Sequence, residues 1–364
     1  MTIKDNCSLL EHNTFGIDVK ASHFVDYDSV DELQAFVRQH RDAGDTTPLL
    51  HIGGGSNLLF LRDFDGTILH SRMREIHVTA NEGDYVYVRV SAGITWDDWV
   101  QYAVDSHWYG LENLSLIPGE VGASAVQNIG AYGSEAKDFI LFVDTVDLQT
   151  GEIRHFTAEE CRYGYRDSAF KHELRGRYAV THVHFRLSHS FRPRLDYGGI
   201  RLALEERGFN ETDLTADQLR QTIIEIRRSK LPEPTELGNA GSFFTNPIVP
   251  RATFEQLLKQ YPEMPHYEVD NERVKIPAGW MIEQCGWKGK ALGKAGVYER
   301  QALVLVNLGG ATGKDIAALC ERIQADVKAK FGIEIAPEVN VIGCNASRGS
   351  GGCSEGTLQT RNYY

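Results

Sequence analysis

The sequence predicts an α+β protein, and three observations lead there. Segments such as Tyr85 to Ser91 (YVYVRVS) alternate apolar and polar residues as a half-buried strand does, whereas Trp96, Trp99, Val100, Ala103 and Val104 keep helical spacing. Strands followed by a helix close the second half, and a chain of 364 residues can hold two or three domains with sizeable cores.

Composition narrows the partners. Hydrophobic content of 42% is ordinary for a globular chain. A net charge of −12 with a pI near 5.6 argues against nucleic acid or an anionic membrane surface as partner, because counterion release needs a basic surface. An acidic substrate would then have to be met by a local cluster of Lys and Arg. No apolar run approaches the roughly 20 residues of a spanning helix. The opening MTIKDNCSLLEHN lacks the apolar core of a secretory signal, so a cytoplasmic location is expected. Cys7, Cys161, Cys285, Cys320, Cys344 and Cys353 show no C-x-x-C pair and no zinc spacing, and are read as reduced thiols filling the core.

The elements follow in order. Asn13-Thr-Phe-Gly16 opens the globular part, and Ser29 with Glu32 forms a capping box ahead of Val30, Leu33, Phe36 and Val37. A strand is expected at Leu49–Ile52. Thr95 is expected to cap the tryptophan-bearing helix, with Asp97 and Asp98 suited to its positive end and Gly110 closing it. Phe142 to Leu148 and Ala179 to Leu187 read as strands, with Thr150-Gly151 a turn. His182 and His184 share one strand face at period two, but no third ligand accompanies them; a solvated face is expected and no metal. Residues 200 to 222 are polar and helix-like, and the domain boundary is drawn there, giving domains 1–200 and 201–343. In the second domain a helix from Thr253 turns Phe254, Leu257 and Leu258 inward, and Ala302 to Leu308 reads as a strand. A helix capped by Thr312 then buries Ile316, Leu319, Ile323 and Val327. The stretch 344–364 is Gly/Ser-rich without periodic apolar positions, and is expected to be disordered and of vector or frameshift origin.

The chemistry lies in two glycine segments. His51 to Phe60 (HIGGGSNLLF) sets three glycines, then Ser56 and Asn57, behind an apolar strand. Glycines permit positive φ and close backbone approach, so such a turn can aim several N–H groups at a pyrophosphate; a mobile hairpin turn is the alternative. The turn matches neither a P-loop nor a G-x-G-x-x-G spacing. Ile117 to Glu135 (IPGEVGASAVQNIGAYGSE) spaces Gly119, Gly122, Gly130 and Gly133 around Ser124, Gln127 and Asn128. Two such loops could grip the ends of a large dinucleotide.

This pair, followed by Tyr163-Gly-Tyr-Arg-Asp-Ser168, Gly238-Asn-Ala-Gly-Ser-Phe-Phe244 and Pro337-Glu-Val339, resembles the UDP-N-acetylenolpyruvoylglucosamine reductases of peptidoglycan synthesis, in their longer, type I branch. The resemblance runs from about Asn13 to Gly343. It implies a two-lobed FAD-binding domain of the vanillyl-alcohol-oxidase/PCMH type followed by a smaller α+β substrate-binding domain. The implied reaction turns UDP-N-acetylglucosamine enolpyruvate into UDP-N-acetylmuramate, with hydride passing from NADPH to FAD and on to the enolpyruvyl carbon.

By the same resemblance, Gly53, Gly54, Gly55, Ser56 and Asn57 hold the FAD, together with Ile117, Pro118, Gly119, Gly122, Ala123, Ser124, Gln127, Asn128, Gly130, Ala131 and Tyr132. Related flavoproteins of this fold attach the flavin through a His in the first glycine turn. Here Gly54-Gly55-Ser56 stands in that place, so a dissociable FAD is expected. Arg166 matches the family position that steadies the charge which hydride addition pushes into the substrate carboxylate; an ion pair with Asp167 is the structural alternative. Ser242 matches the proton donor to the neighbouring carbon, and Glu338 the third catalytic position. The family often carries a second acid two positions earlier, where this chain has Ala336. Tyr197, Lys230, Asn246, Tyr267 and Gln301 are implied to contact the substrate's diphosphate and sugar, Lys230 as a mobile point charge. A monomer acting on a small UDP-sugar is expected. A flavin oxidase and a nucleotide sensor are the other readings. The missing linking His disfavours the first, and the joint presence of Arg166, Ser242 and Glu338 the second.

Overall fold

A computed structural model describes residues 1–197 and 199–343. The stretch 344–364, expected to be disordered, lies outside the described residues. The chain forms two compact units: the first comprises Met1–Cys7, Ala21–Gly55 and Asp65–Ser229, and the second takes Ser8–Lys20, Ser56–Phe64 and the chain from Lys230 onward. The expected division at residue 200 therefore falls inside the first unit.

That unit carries two sheets. One orders Thr2–Ser8, Lys20–Tyr27, Phe64–Ser71 and Leu49–Ile52, the last two parallel. The helix Val30–Asp42 buries Leu33 and Val37 among Val25, Tyr27 and Leu69. Ser29 Oγ accepts from the Glu32 N–H at 3.2 Å, while the Glu32 carboxylate takes the Asp28 N–H at 2.8 Å, so only one arm of the expected capping box forms. The other sheet is antiparallel, ordering Ile153–Thr157, Ile140–Asp147, Tyr178–Ser188, Tyr85–Ser91 and Ile76–Glu82. Val86, Val88 and Val90 alternate inward against the helix Trp96–Asp105, where Trp99 meets Phe185 with ring centroids 5.5 Å apart.

Three expectations change here. The helix Trp96–Asp105 stops well before Gly110, because His107 itself takes a positive φ of 59° and closes the turn. Thr95 precedes that helix without a side-chain capping bond. His182 and His184 are buried, not solvated: His184 Nε2 lies 2.9 Å from Asp144 Oδ2, His155 Nδ1 lies 2.7 Å from Asp144 Oδ1, and Arg89 bonds His182 Nδ1 at 3.0 Å. A buried carboxylate supplies the polar partners that water would otherwise give.

Residues 200 to 222 divide into the helix Ile200–Glu206 and the start of the helix Ala216–Lys230, whose Leu219 and Ile223 pack with Ile200 and Leu204. In the second unit a four-stranded sheet orders Asn239–Ser242, Val304–Asn307, Ala295–Val297 and Ala291–Leu292. The helix Arg251–Gln260 buries Phe254 and Leu257. The helix Gly313–Phe331 opens on a full capping box between Thr312 and Asp315 and buries Ile316, Leu319, Ile323 and Val327. Cys161 and Cys320 are buried free thiols; burial pushes Cys161 up to about 11 and Cys320 further, which suits inert packing. Among the described residues no helix is long and apolar enough to cross a membrane, and no cluster of His, Cys, Asp or Glu could hold a metal.

Candidate active site

The first unit holds the three glycines of the first segment and the whole of the second. Gly53, Gly54 and Gly55 follow the strand Leu49–Ile52, and Gly55 turns the chain at φ 67°. Gly119 does the same in the second segment at φ 111°, after the exposed Pro118 and half-buried Ile117. Backbone bonds from Trp96 N to Gly119 O, Val121 N to Ile94 O and Gly122 N to Ala92 O, each 2.9 Å, pin this segment to the edge of the tryptophan core. The short helix Val121–Gln127 then carries Gly122, Ala123 and Ser124, whose hydroxyl donates to Val121 O at 2.6 Å. Gln127 Oε1 is buried and has no partner among the described residues. Asn128, in contrast, is fully committed: Nδ2 donates to Gly164 O at 2.6 Å and Oδ1 accepts from Lys137 N at 3.0 Å. It was expected to face the cofactor, yet its amide ties the second glycine segment to the Tyr163–Ser168 motif.

That motif folds as a tight turn, with Gly164 and Asp167 exchanging backbone bonds of 2.9 and 3.1 Å. Arg166 sits at the turn with φ 54°, a conformation that L-residues adopt rarely and that clusters at functional sites. Its guanidinium bonds Gly130 O, and a Cβ on Gly130 would lie 2.6 Å from Arg166 Nη1, so glycine there makes room for the cation. The Asp167 carboxylate lies 2.7 Å from His172 Nε2. Gly130 and Ala131 pair with Ser134–Glu135, Tyr132 follows at φ 48°, and Tyr197 lies beside Gly133.

The second unit sets the segments that carry Ser242 and Glu338 side by side. Ser242 ends the strand Asn239–Ser242 and is exposed, while the next residues bridge to the Pro337 segment: Glu338 N donates to Phe243 O at 2.8 Å and Phe244 pairs with Pro337. Asn57, grouped with this unit along with Ser56, donates from Nδ2 to Glu338 O at 3.3 Å, and its own carbonyl accepts from Asn340 N at 3.0 Å. Asn57 also steadies the backbone that carries Glu338. Asn246 Oδ1 accepts from Ala278 N at 2.9 Å at the start of the helix Ala278–Gln284. Gln301 Oε1 accepts from Leu303 N at 3.3 Å. Tyr267 is 41% exposed under Lys275 Nζ, and Lys230 is exposed at the end of its helix.

Sequence reasoning missed three groups. Arg227 donates from Nε to Leu116 O at 3.2 Å, just before Ile117, and burial lowers its pKa, with Arg166 lowering it further and Tyr132 and Asp97 opposing. Its signal was the basic run IRRSK, which periodicity files as a solvated helix end. Asp97 was assigned to the helix dipole, but accepts from Leu116 N at 2.5 Å and holds Arg220 at 2.8 and 3.0 Å. Glu120, between two glycines, was passed over.

The two glycine turns on the sheets of the first unit define an FAD-binding fold, and the comparisons agree. The family model described as "FAD binding domain" matches residues 21–157, and that described as "UDP-N-acetylenolpyruvoylglucosamine reductase, C-terminal domain" matches 233–342. A UDP-N-acetylenolpyruvoylglucosamine reductase of Bacteroides fragilis is 58% identical over 335 residues, covering 92% of this chain and 98% of the relative. One from Flavobacterium johnsoniae is 43% identical over 94% of this chain and all of the relative. The crystal structure of the reductase from Thermus caldophilus, 22% identical, shares the fold with a TM-score of 0.64 over 94% of this chain and 99% of that one. The chain belongs to the UDP-N-acetylenolpyruvoylglucosamine reductase family.

Proposed function

We propose that this protein reduces UDP-N-acetylglucosamine enolpyruvate to UDP-N-acetylmuramate for peptidoglycan synthesis, working as a cytoplasmic monomer with dissociable FAD and NADPH as hydride donor. The observation that carries this reading is the antiparallel seating of Phe243 and Phe244 on Pro337 and Glu338, which sets Ser242 and Glu338 on neighbouring segments.

The residues fit an anionic dinucleotide. A Cβ on Gly54 would already touch Gly119 Cα at 3.6 Å, so glycine there lets the two turns approach closely, and Gln127 Oε1 is a buried acceptor without a donor among the described residues. Gly53 to Asn57 and Ile117 to Tyr132 would hold the group. FAD, when bound, supplies the hydride chemistry, accepting from NADPH and delivering to the enolpyruvyl group. Arg166, fixed by its turn and by Gly130, stabilises the carboxylate into which negative charge moves. Ser242 gives a proton to the neighbouring carbon, and Glu338 polarises the carboxylate or replenishes that proton. Tyr197, Lys230, Asn246, Tyr267 and Gln301 orient the diphosphate and sugar.

NADPH oxidation by the flavin-loaded protein, followed at 340 nm with and without UDP-N-acetylglucosamine enolpyruvate, tests the reading. Oxidation that depends on the enolpyruvyl sugar is expected. Oxidation indifferent to it would point to an oxidase, and none with the sugar present would overturn the reductase.

A further inference from the structure

The two glycine segments meet at a carboxylate. A Cβ on Gly53 would stand 3.3 Å from Glu120 Oε2 and 3.4 Å from Ala123 Cβ, and one on Gly54 would stand 3.9 Å from Glu120 Cγ. Glu120 is 9% exposed. An acidic group with so little access to water, bordering a turn that receives a pyrophosphate, has the wrong sign for that ligand unless something cancels it.

His70, on the strand Phe64–Ser71, does so. Its Nε2 lies 3.1 Å from Glu120 Oε1 and its Nδ1 lies 2.8 Å from Asp26 Oδ1. A neutral imidazole has one N–H and can donate to only one carboxylate, whereas the imidazolium donates to both. Burial by itself would lower the His70 pKa, but the bonds and charges of Glu120 and then Asp26 outweigh it and the net direction is up. Two further titratable groups border the cluster, and both are neutral near pH 7. Burial drops His51, on the strand Leu49–Ile52, to about 3, and burial raises Tyr27, whose hydroxyl lies 2.7 Å from His51 Nε2. The cluster is thus one cation bridging two carboxylates, with Glu120 the one that borders the glycine turns.

We propose that His70, as the imidazolium, is a positioning residue for the flavin: it cancels the Glu120 charge and holds that side chain against the strand, so that both glycine turns accept the pyrophosphate. This rests on the reading that these turns hold the FAD. The sign follows directly. The cation is present below its raised pKa and is lost as pH rises through it, so FAD affinity falls on the alkaline side of the ordinary imidazole range near 6.5.

The test strips FAD from the full chain and titrates it back by flavin fluorescence, with the melting temperature of each apoprotein measured alongside. His70→Gln should weaken FAD binding roughly 10- to 100-fold, the scale of one charge-assisted bond. Adding Glu120→Gln to that variant should restore most of the affinity, since the uncancelled anion is gone. Wild-type affinity should fall between pH 6.5 and pH 9 by a similar factor, and Glu120→Gln should flatten that slope. Loss in His70→Gln without rescue would make the residue merely structural, and a flat wild-type profile would overturn the charge argument without relying on any variant. Gly54→Leu fills the first turn and separates the two failures: retention of FAD there would sink the cofactor reading itself, whatever His70 does.

Discussion

Ser242 ends its strand exposed, one residue before the chain bridges to the Glu338 segment, so its suitability as a donor rests on placement: an unperturbed hydroxyl is a poor acid. Hydride delivery and protonation are separate events, and one substitution should uncouple them. Ser242→Ala is expected to leave flavin reduction by NADPH near normal while flavin reoxidation by the enolpyruvyl sugar slows by about 10²-fold or more. Stopped-flow traces of the two half-reactions decide it: equal slowing would make Ser242 structural, and no slowing of the second would remove it as donor. Arg166, Ser242 and Glu338 were nominated because each sits inside a dense local motif. Their supports were not recognised as such. Asn57, Asn128 and Asn246 read as ligand contacts, and within the protein their amides also bond Glu338 O, Gly164 O and Ala278 N. A side-chain amide presents the same donor and acceptor to a ligand as to a backbone, so residue type alone does not separate the two. Nor does YGYRDS announce that Arg166 takes a positive φ, since the turn is closed by Gly164 and Asp167 on either side.

At the scale of elements, the helix Ala216–Lys230 is tied to the helix Trp96–Asp105 by Arg220, which is 4% exposed and grips both oxygens of Asp97. Asp97 also takes the Leu116 N–H, while Arg227 takes the Leu116 carbonyl, so the residue before Ile117-Pro118-Gly119 is clamped on both sides at φ 56°. Asp97→Ala would leave the buried Arg220 guanidinium without its carboxylate, holding only Gln101 Oε1 at 2.8 Å, a change of the kind that costs about 3–5 kcal/mol when a buried pair loses one partner. Urea unfolding measures it, and a loss below about 1 kcal/mol would mean the pair behaves as an exposed one. Because the clamp holds the second glycine segment, the same variant should also release flavin faster. The helices themselves were legible from apolar spacing and the Thr312 cap, and the strands Leu49–Ile52 and Tyr85–Ser91 match their expected bounds. What local periodicity does not encode is which unit an element joins. Arg220 and Asp97 lie 123 residues apart, and this pair, with the packing of Leu219 and Ile223 on Ile200 and Leu204, keeps residues 200 to 229 in the first unit.

Across the molecule, assembly is non-contiguous: Ser8–Lys20 and Ser56–Phe64 join the second unit, and Leu58–Phe60 pairs in parallel with Asn340–Ile342. A reading that moves along the chain draws one boundary and has no means of returning an early segment to a late unit, because the pairing that does so appears only once both strands are in place. Buried titratable groups impose a second molecule-wide property, the shape of stability against pH. Burial holds His51 at about 3 and His182 at about 4, whereas both titrate near 6.5 in an unfolded chain. Between those values the unfolded chain binds more protons, so stability falls as pH falls, by at most about 1.4 kcal/mol per pH unit for each group. Asp144 extends the decline: burial opposes its ionisation, but His184 and His155 hold it at about 2 against 3.8, so its contribution is lost as pH drops through that interval. His70 has the opposite sign, its raised pKa giving stability that is complete below 6.5 and disappears as pH climbs through the folded value. Stability should therefore peak near neutrality and decline on both sides. Melting temperatures of the apoprotein from pH 4 to pH 9 check this, with His182→Gln as the diagnostic variant: it removes one buried imidazole that must charge on unfolding, so its acid limb should be shallower than the wild type's. An unchanged acid slope would assign the decline to other groups and remove burial of His182 as a cause.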